Sequence, residues 1–171
     1  MYFLKLPVIL IVTCLIALLI FYPYQEVFVF RETRIDNPII HYLPIVNEDH
    51  FEIRYTHSIH KTDVIESYKI TNNSKIQLLS MNYSDLAIGL PGYAEKGQTF
   101  EEKNGKYILT YRNEILDSFT IFIANIDMDL YFIYLEEKID LKKSLKRGKS
   151  YFFEVRKLSF YQQMKGEKIN D

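Results

Sequence analysis

The chain has 171 residues, of which 48% are hydrophobic, 25% are charged and one is cysteine. These proportions are typical of a globular domain with an attached apolar segment, and they exclude disordered, collagen-like and disulfide-rich proteins. The formal net charge is −1 at pH 7, so the sequence lacks the strong basic character that indicates nucleic-acid binding.

The first predicted element is an apolar helix. Residues 6–24 carry no charged side chain, and a helix of that length measures about 28 Å, close to the thickness of the hydrocarbon layer. We expect residues 1–24 to form an uncleaved signal anchor, because residues 19–24 are bulky and aromatic rather than small. A removed signal peptide is the alternative. Lys5 favours a cytoplasmic N-terminus, which predicts a single-pass protein of the cell membrane with an extracytoplasmic C-terminal domain.

Beyond the anchor, the hydrophobic pattern changes to alternation. Residues 25–49 are interpreted as an extended connector and a first strand, with bends at Asn37-Pro38 and Leu43-Pro44. Apolar and polar residues then alternate, as in strands with one buried face, over 51–59, 64–70, 76–78, 107–111, 119–123, 130–134 and 151–155. Short strands at this spacing predict an all-β fold for residues 50–171, either an antiparallel β-sandwich or a barrel.

Turn-forming residues separate the alternating runs. They are Asn72-Asn73-Ser74, Asn104-Gly105, Arg112-Asn113 and Arg147-Gly148. Asn104-Gly105 is the strongest hairpin signal among them. Only residues 139–145 show a short helical pattern.

The densest group of polar side chains lies in residues 55–68, which contain two His, two Ser, two Thr and two carboxylates. One interpretation is structural: His57 is a core histidine that bonds Glu66 or a backbone carbonyl and fixes strand register around a turn at Thr62 and Asp63. The other is an exposed patch that binds a small ligand or a membrane partner. The candidate binding residues are His57, Ser58, His60, Lys61, Glu66, Gly89 and Pro91, the last two in a Gly-Leu-Pro-Gly loop.

Two kinds of chemistry compete with a binding patch. A metal site would use His57, His60 and Glu66, but residues three apart point to opposite faces of a continuous strand, so the chain must turn between them. A serine hydrolase would use Ser58 or Ser67, and the sequence has no Gly-x-Ser-x-Gly elbow to expose such a nucleophile. We therefore assign no catalytic residue and expect no cofactor, with a metal protein or enzyme as the alternative.

The stretch Tyr55-Thr56-His57-Ser58-Ile59-His60, followed by Glu66-Ser67-Tyr68, resembles the signature of a small uncharacterised bacterial family, a domain of unknown function. Tyr83, Gly89 and Pro91 also fit its pattern, and the likeness covers most of residues 50–155. Members of that family are often encoded beside TRAP-type transporters of the TAXI class. The resemblance implies a membrane-anchored accessory or ligand-binding domain whose partner is the transporter permease or its solute-binding protein. A structural envelope protein is a further alternative.

Overall fold

The computed structural model describes residues 5–86 and 89–169. Helix α1 (Lys5–Phe21) comes first, and the predicted anchor also includes residues 1–4, which lie outside the described residues. The elements that follow are β1 (Gln25–Glu32), β2 (Ile40–Pro44), β3 (His50–Thr56), β4 (Asp63–Ile70), β5 (Ile76–Tyr83), β6 (Gln98–Lys103), β7 (Lys106–Leu116), β8 (Ser118–Ile123), β9 (Leu130–Tyr134), β10 (Glu137–Asp140), α2 (Leu141–Ser144), β11 (Lys149–Leu158), α3 (Phe160–Lys165) and β12 (Glu167–Lys168).

The strands form two sheets. The smaller sheet has the order β12-β2-β1-β11-β8, and the larger has the order β10-β9-β3-β4-β5-β7-β6. Neighbouring strands are antiparallel, except that β12 pairs with β2 in parallel. The prediction of an all-β, antiparallel fold is confirmed, and the arrangement of two facing sheets is that of a sandwich.

Aromatic side chains from both sheets meet in the core. Phe28 of β1 and Phe153 of β11 come from the smaller sheet, whereas Phe51 of β3 and Phe132 of β9 come from the larger one. The Phe28 ring centroid lies 5.0 Å from that of Phe51 and 4.9 Å from that of Phe132. All four side chains are buried. Burial of each such side chain stabilises the fold by about 1.5 to 3 kcal/mol, so these rings contribute substantially to the packing of one sheet on the other.

Strand β1 is buried on both of its faces. Its residues Val27, Phe28, Val29 and Phe30 are all at most 1% exposed. Phe28 and Phe30 point into the core between the sheets, while Val27 and Val29 belong to a second cluster on the other face of the smaller sheet. In a strand buried on both faces, apolar and polar residues do not alternate. This is why the sequence predicts a connector and one strand in residues 25–49, where the structure has the two strands β1 and β2.

Most of the predicted turns are confirmed. Asn104 and Gly105 form a two-residue connection between β6 and β7, with φ angles of 54° and 72°. Positive φ at both positions is what the type I′ hairpin turn requires. The prediction of a turn at Arg112-Asn113 is wrong, because both residues lie inside β7. The register between β5 and β7 shifts at this point, and the extra residues form an irregularity in the strand rather than a loop.

The short helical pattern in residues 139–145 is confirmed by α2 (Leu141–Ser144). Helix α3 is not predicted from the sequence. It begins with a capping box in which the Ser159 hydroxyl accepts a bond from the Gln162 amide at 3.2 Å, and the Gln162 side chain accepts one from the Ser159 amide at 3.0 Å. The Ser-x-x-Gln spacing is the sequence signal that indicates this helix start. The ring of Tyr161 in α3 lies 5.0 Å from that of Phe21 in α1.

Helix α1 covers 17 residues. Within the described parts of the chain, no helix combines the length and the apolar character that a membrane crossing requires.

Candidate functional site

The polar segment 55–68 contains the end of β3, a turn and most of β4. Strand β3 ends at Thr56, which pairs with Asp63 at the start of β4, so residues 57–62 form the connection. The His57 amide donates to the Thr62 carbonyl at 2.8 Å, and Lys61 adopts a positive φ of 57°. The predicted strand over 51–59 is therefore too long, and Ile59, expected on its apolar face, is 60% exposed.

Glu66 lies on the core face of the larger sheet. It pairs across the strands with Ile53, and its neighbours on the same face of β4 are the buried residues Val64 and Tyr68. The Tyr55 hydroxyl donates to its Oε1 at 3.2 Å, and the Tyr68 hydroxyl donates to its Oε2 at 2.6 Å. The hydrogen-bond partners of Glu66 are thus two tyrosines, whereas one interpretation of the sequence predicts a hydrogen bond between Glu66 and His57.

Burial and hydrogen bonding act in opposite directions on the pKa of the Glu66 carboxyl. Burial raises this pKa above its ordinary value, and the hydrogen bonds from Tyr68 and Tyr55 oppose that rise. Burial and the adjacent carboxylate also raise the pKa of both tyrosines, so their hydroxyls stay protonated as donors. Within the described residues, no Lys, Arg or His nitrogen lies within 4.0 Å of the Glu66 carboxylate. Glu66 is therefore a partly buried acid without a cationic neighbour.

A cavity of about 360 Å³ opens beside Glu66, between the two sheets and next to the turn at residues 57–62. Ile53 of the larger sheet and Phe119 and Ile121 of β8 form apolar walls, which Ile126 and Leu130 extend. Polar groups reach the same cavity from the end of β3 and the turn after it, from β8, from the segment before β9 and from α2. They are Thr56, His57, Ser58, Thr120, Asp129 and Lys142. An apolar space with a few polar groups at one side is the usual form of a small-molecule site.

Three of the predicted binding residues, His57, Ser58 and Glu66, line this cavity. Two others of the same segment lie elsewhere. The His60 ring is 2.6 Å from a carboxylate oxygen of Asp85, and Lys61 lines a separate depression.

Gly89 and Pro91 also lie apart from the cavity. Both line a depression in the loop that precedes β6. The Pro91 carbonyl accepts a hydrogen bond from the Tyr83 hydroxyl, which ties this loop to β5. The candidate residues of the sequence therefore do not form one site.

The turn brings two of the three predicted metal ligands near each other, since the His57 and His60 ring centroids are 5.8 Å apart, but Glu66 does not complete the set. Within the described chain, a single group of three possible ligands has all its ligand atoms within 4.8 Å of one another, and it consists of Glu48, Asp49 and His50. His57, His60 and Glu66 are not such a group. The Glu48 to His50 group is explained by charge pairing, because the His50 ring lies 2.6 Å from Asp49 and Lys69 lies 3.3 Å from the same carboxylate.

The two candidate nucleophiles lie in different surroundings. Ser67 points to the face of β4 opposite Glu66, and its hydroxyl donates to Glu52 at 3.0 Å. Ser58 is exposed in the turn. Neither serine forms a hydrogen bond with an imidazole among the described contacts.

Sequence reasoning missed the tyrosines and the second wall of the site. The sequence did contain a signal for the tyrosine partners, because Glu66 is a charged residue at an apolar position of the alternating run 64–70. Tyr55 occupies an apolar position of the preceding alternating run, 51–59. Phe119, Asp129 and Lys142 are more than 50 residues away in sequence, and only the sheet order brings them to the cavity.

The fold and the cavity define a β-sandwich with a small-molecule-sized pocket at one end. A family model described as "Domain of unknown function (DUF1850)" matches residues 51–141. The chain belongs to this family. The match begins at the first core residue of β3 and includes every residue that lines the cavity except Lys142. No curated protein and no solved structure matches the chain.

Proposed function

We propose that this protein is a noncatalytic ligand-binding domain and that its ligand occupies the cavity beside Glu66. The observation that carries the proposal is the carboxyl group of Glu66, which lies on the core face of a sheet and borders an open cavity. A buried charge without a cationic partner costs folding free energy, and such costly groups occur preferentially at functional sites. The volume of about 360 Å³ is within the range of small-molecule sites.

The arrangement supports binding rather than catalysis. The hydroxyls of Tyr55 and Tyr68 hold both oxygens of Glu66 in place, so the carboxyl is oriented before a ligand arrives. Preorganised polar groups lower the entropic cost of binding.

We also propose that residues 1–24 anchor the domain in the cell membrane, with the β-sandwich on the extracytoplasmic side. Support comes from the apolar sequence and from the exposure of its side chains in α1, of which Leu19 is 75% exposed. Tyr22 and Tyr24 follow the helix, and aromatic residues of this kind favour the membrane interface. Protease protection of the β-sandwich in intact cells, and its loss after the outer layers are opened, tests the orientation.

The proposed partner is a TRAP-type transporter of the TAXI class, either its permease or its solute-binding protein. This part of the proposal rests on the family resemblance. Mild crosslinking of the tagged full-length chain in its native membrane, followed by mass spectrometry, tests it. Enrichment of a transporter subunit over a control membrane protein supports the proposal, and recovery of the chain without one contradicts it.

The ligand proposal is tested by native mass spectrometry and by extraction of small molecules from the purified full-length chain. We expect a bound species with the wild-type chain and its loss with Glu66→Gln. Glu52→Gln is the matched control, because Glu52 lies on the opposite face of the same sheet and accepts a bond from Ser67. A bound species that survives Glu66→Gln and is lost with Glu52→Gln contradicts the assignment of the cavity.

A further inference from the structure

The charged side chains that line the cavity differ in their partners. Among the described residues that line the cavity, Lys142 is the lysine, and its Nζ donates to the Ile126 carbonyl at 2.5 Å. The Nζ of Lys61 lies outside the lining, 3.9 Å from the sulfur of Met128. Asp129 also lines the cavity, and its carboxylate accepts a bond from the Tyr131 hydroxyl at 3.1 Å. Glu66 is the acid that lies between the apolar walls, with tyrosine donors and no cation beside it. The unbalanced charge inside the cavity is therefore negative.

Glu66 retains hydrogen-bonding capacity on the cavity side. A carboxylate has two oxygens with about four lone-pair sites in total, and Tyr55 and Tyr68 each occupy one. An ammonium group has N–H donors for the remaining sites, whereas an anion would meet a like charge. Phe119 and Tyr55 also border the cavity, and the faces of aromatic rings attract cations.

We propose, building on the ligand-binding function above, that the cavity binds an organic cation. Its ammonium group contacts the Glu66 carboxylate, and its apolar body lies between Ile53, Phe119 and Leu130. The cation supplies the opposite charge that the fold itself does not place beside Glu66. The tyrosine hydroxyls hold the carboxylate and leave the ammonium as its ionic partner.

The experiment compares three probes of similar shape and different charge: phenethylammonium, phenethyl alcohol and phenylacetate. Binding to the full-length chain in lipid nanodiscs is measured by isothermal titration calorimetry, with empty nanodiscs subtracted. A hydrogen bond to a charged group contributes about 1.5 to 3 kcal/mol, so we expect phenethylammonium to bind about tenfold or more tightly than the alcohol. Glu66→Gln should reduce that preference to about onefold, and Glu52→Gln should leave it unchanged.

The outcomes separate the ligand class from the function itself. If the alcohol binds as tightly as the ammonium probe, or phenylacetate binds best and loses affinity in Lys142→Met, the cavity binds ligands but the cationic class is wrong. If none of the three probes binds, both the class and the ligand-binding function are overturned. The comparison of probes on the wild-type chain decides the class even if Glu66→Gln does not fold.

Discussion

Replacement of Glu66 by glutamine should change how stability depends on pH. Burial raises the pKa of Glu66 from its ordinary value of 4.5, so the folded chain binds this proton more strongly than the unfolded chain. The free energy of unfolding therefore falls as pH rises from the unfolded pKa through the folded pKa. The glutamine side chain has nearly the same shape and does not titrate, so the variant should not lose this free energy.

The expected magnitude follows from linkage and from the hydrogen bonds. Each unit by which the folded pKa exceeds the unfolded one removes about 1.4 kcal/mol of stability at pH values above both. Near pH 4, where the carboxyl is largely neutral, the variant should differ from wild type by about 0.5 to 1.5 kcal/mol, the contribution of one altered hydrogen bond. Relative to wild type, the variant should gain stability as pH rises toward 8.

Urea unfolding of the full-length chain at intervals from pH 4 to pH 8 measures this difference. Glu52→Gln is the control, since it removes an equivalent charge from the opposite face of the sheet, where the Ser67 hydroxyl is its partner. A difference between wild type and Glu66→Gln that is constant over this range refutes the reasoning, because it means that the Glu66 pKa is the same in both states.

Three further predictions concern the site and the fold. Tyr68→Phe removes the 2.6 Å hydrogen bond to Glu66. At pH 8 urea unfolding should show a free energy of unfolding lower by about 1.5 to 3 kcal/mol, and carboxyl NMR titration should show a higher Glu66 pKa. An unchanged Glu66 pKa contradicts this prediction. Phe28→Ala removes a fully buried ring that contacts both sheets and should cost about 3 to 5 kcal/mol in the same assay; a loss below about 1 kcal/mol contradicts the packing. Ser159→Ala removes the cap of α3 and should cost about 1 kcal/mol, with faster amide hydrogen exchange in α3; unchanged exchange contradicts the role of the cap.

The sequence predicts those parts of the fold whose signals are local. Alternation identifies β3 and β4, and Asn104-Gly105 identifies one hairpin, because both depend on the residues immediately around them. The two-sided burial of β1 does not produce alternation, since it depends on what covers each face. Arg112-Asn113 has the composition of a turn, yet β7 pairs with β5 both before these residues, at 107–110, and after them, at 114–116, so the strand continues through them as an irregularity.

The candidate site divides in the same way. Glu66 is visible as a charged residue on an apolar face, whereas the pairing of His60 with Asp85 joins residues 25 positions apart. The contribution of β8 to the cavity wall depends on the packing of one sheet on the other. No spacing within residues 55–68 encodes that packing, so the sequence cannot reveal the cavity.

The position of β1 has a mechanical consequence. Residues 22–24 alone separate helix α1 from β1, which lies between β2 and β11 and pairs with β11 over all eight of its residues. A force applied along α1 therefore acts in shear on two rows of backbone hydrogen bonds, which must break together rather than one after another. It also pulls Phe28 and Phe30 out of the centre of the core. Traction on the N-terminal helix is thus resisted by the most deeply buried strand of the smaller sheet.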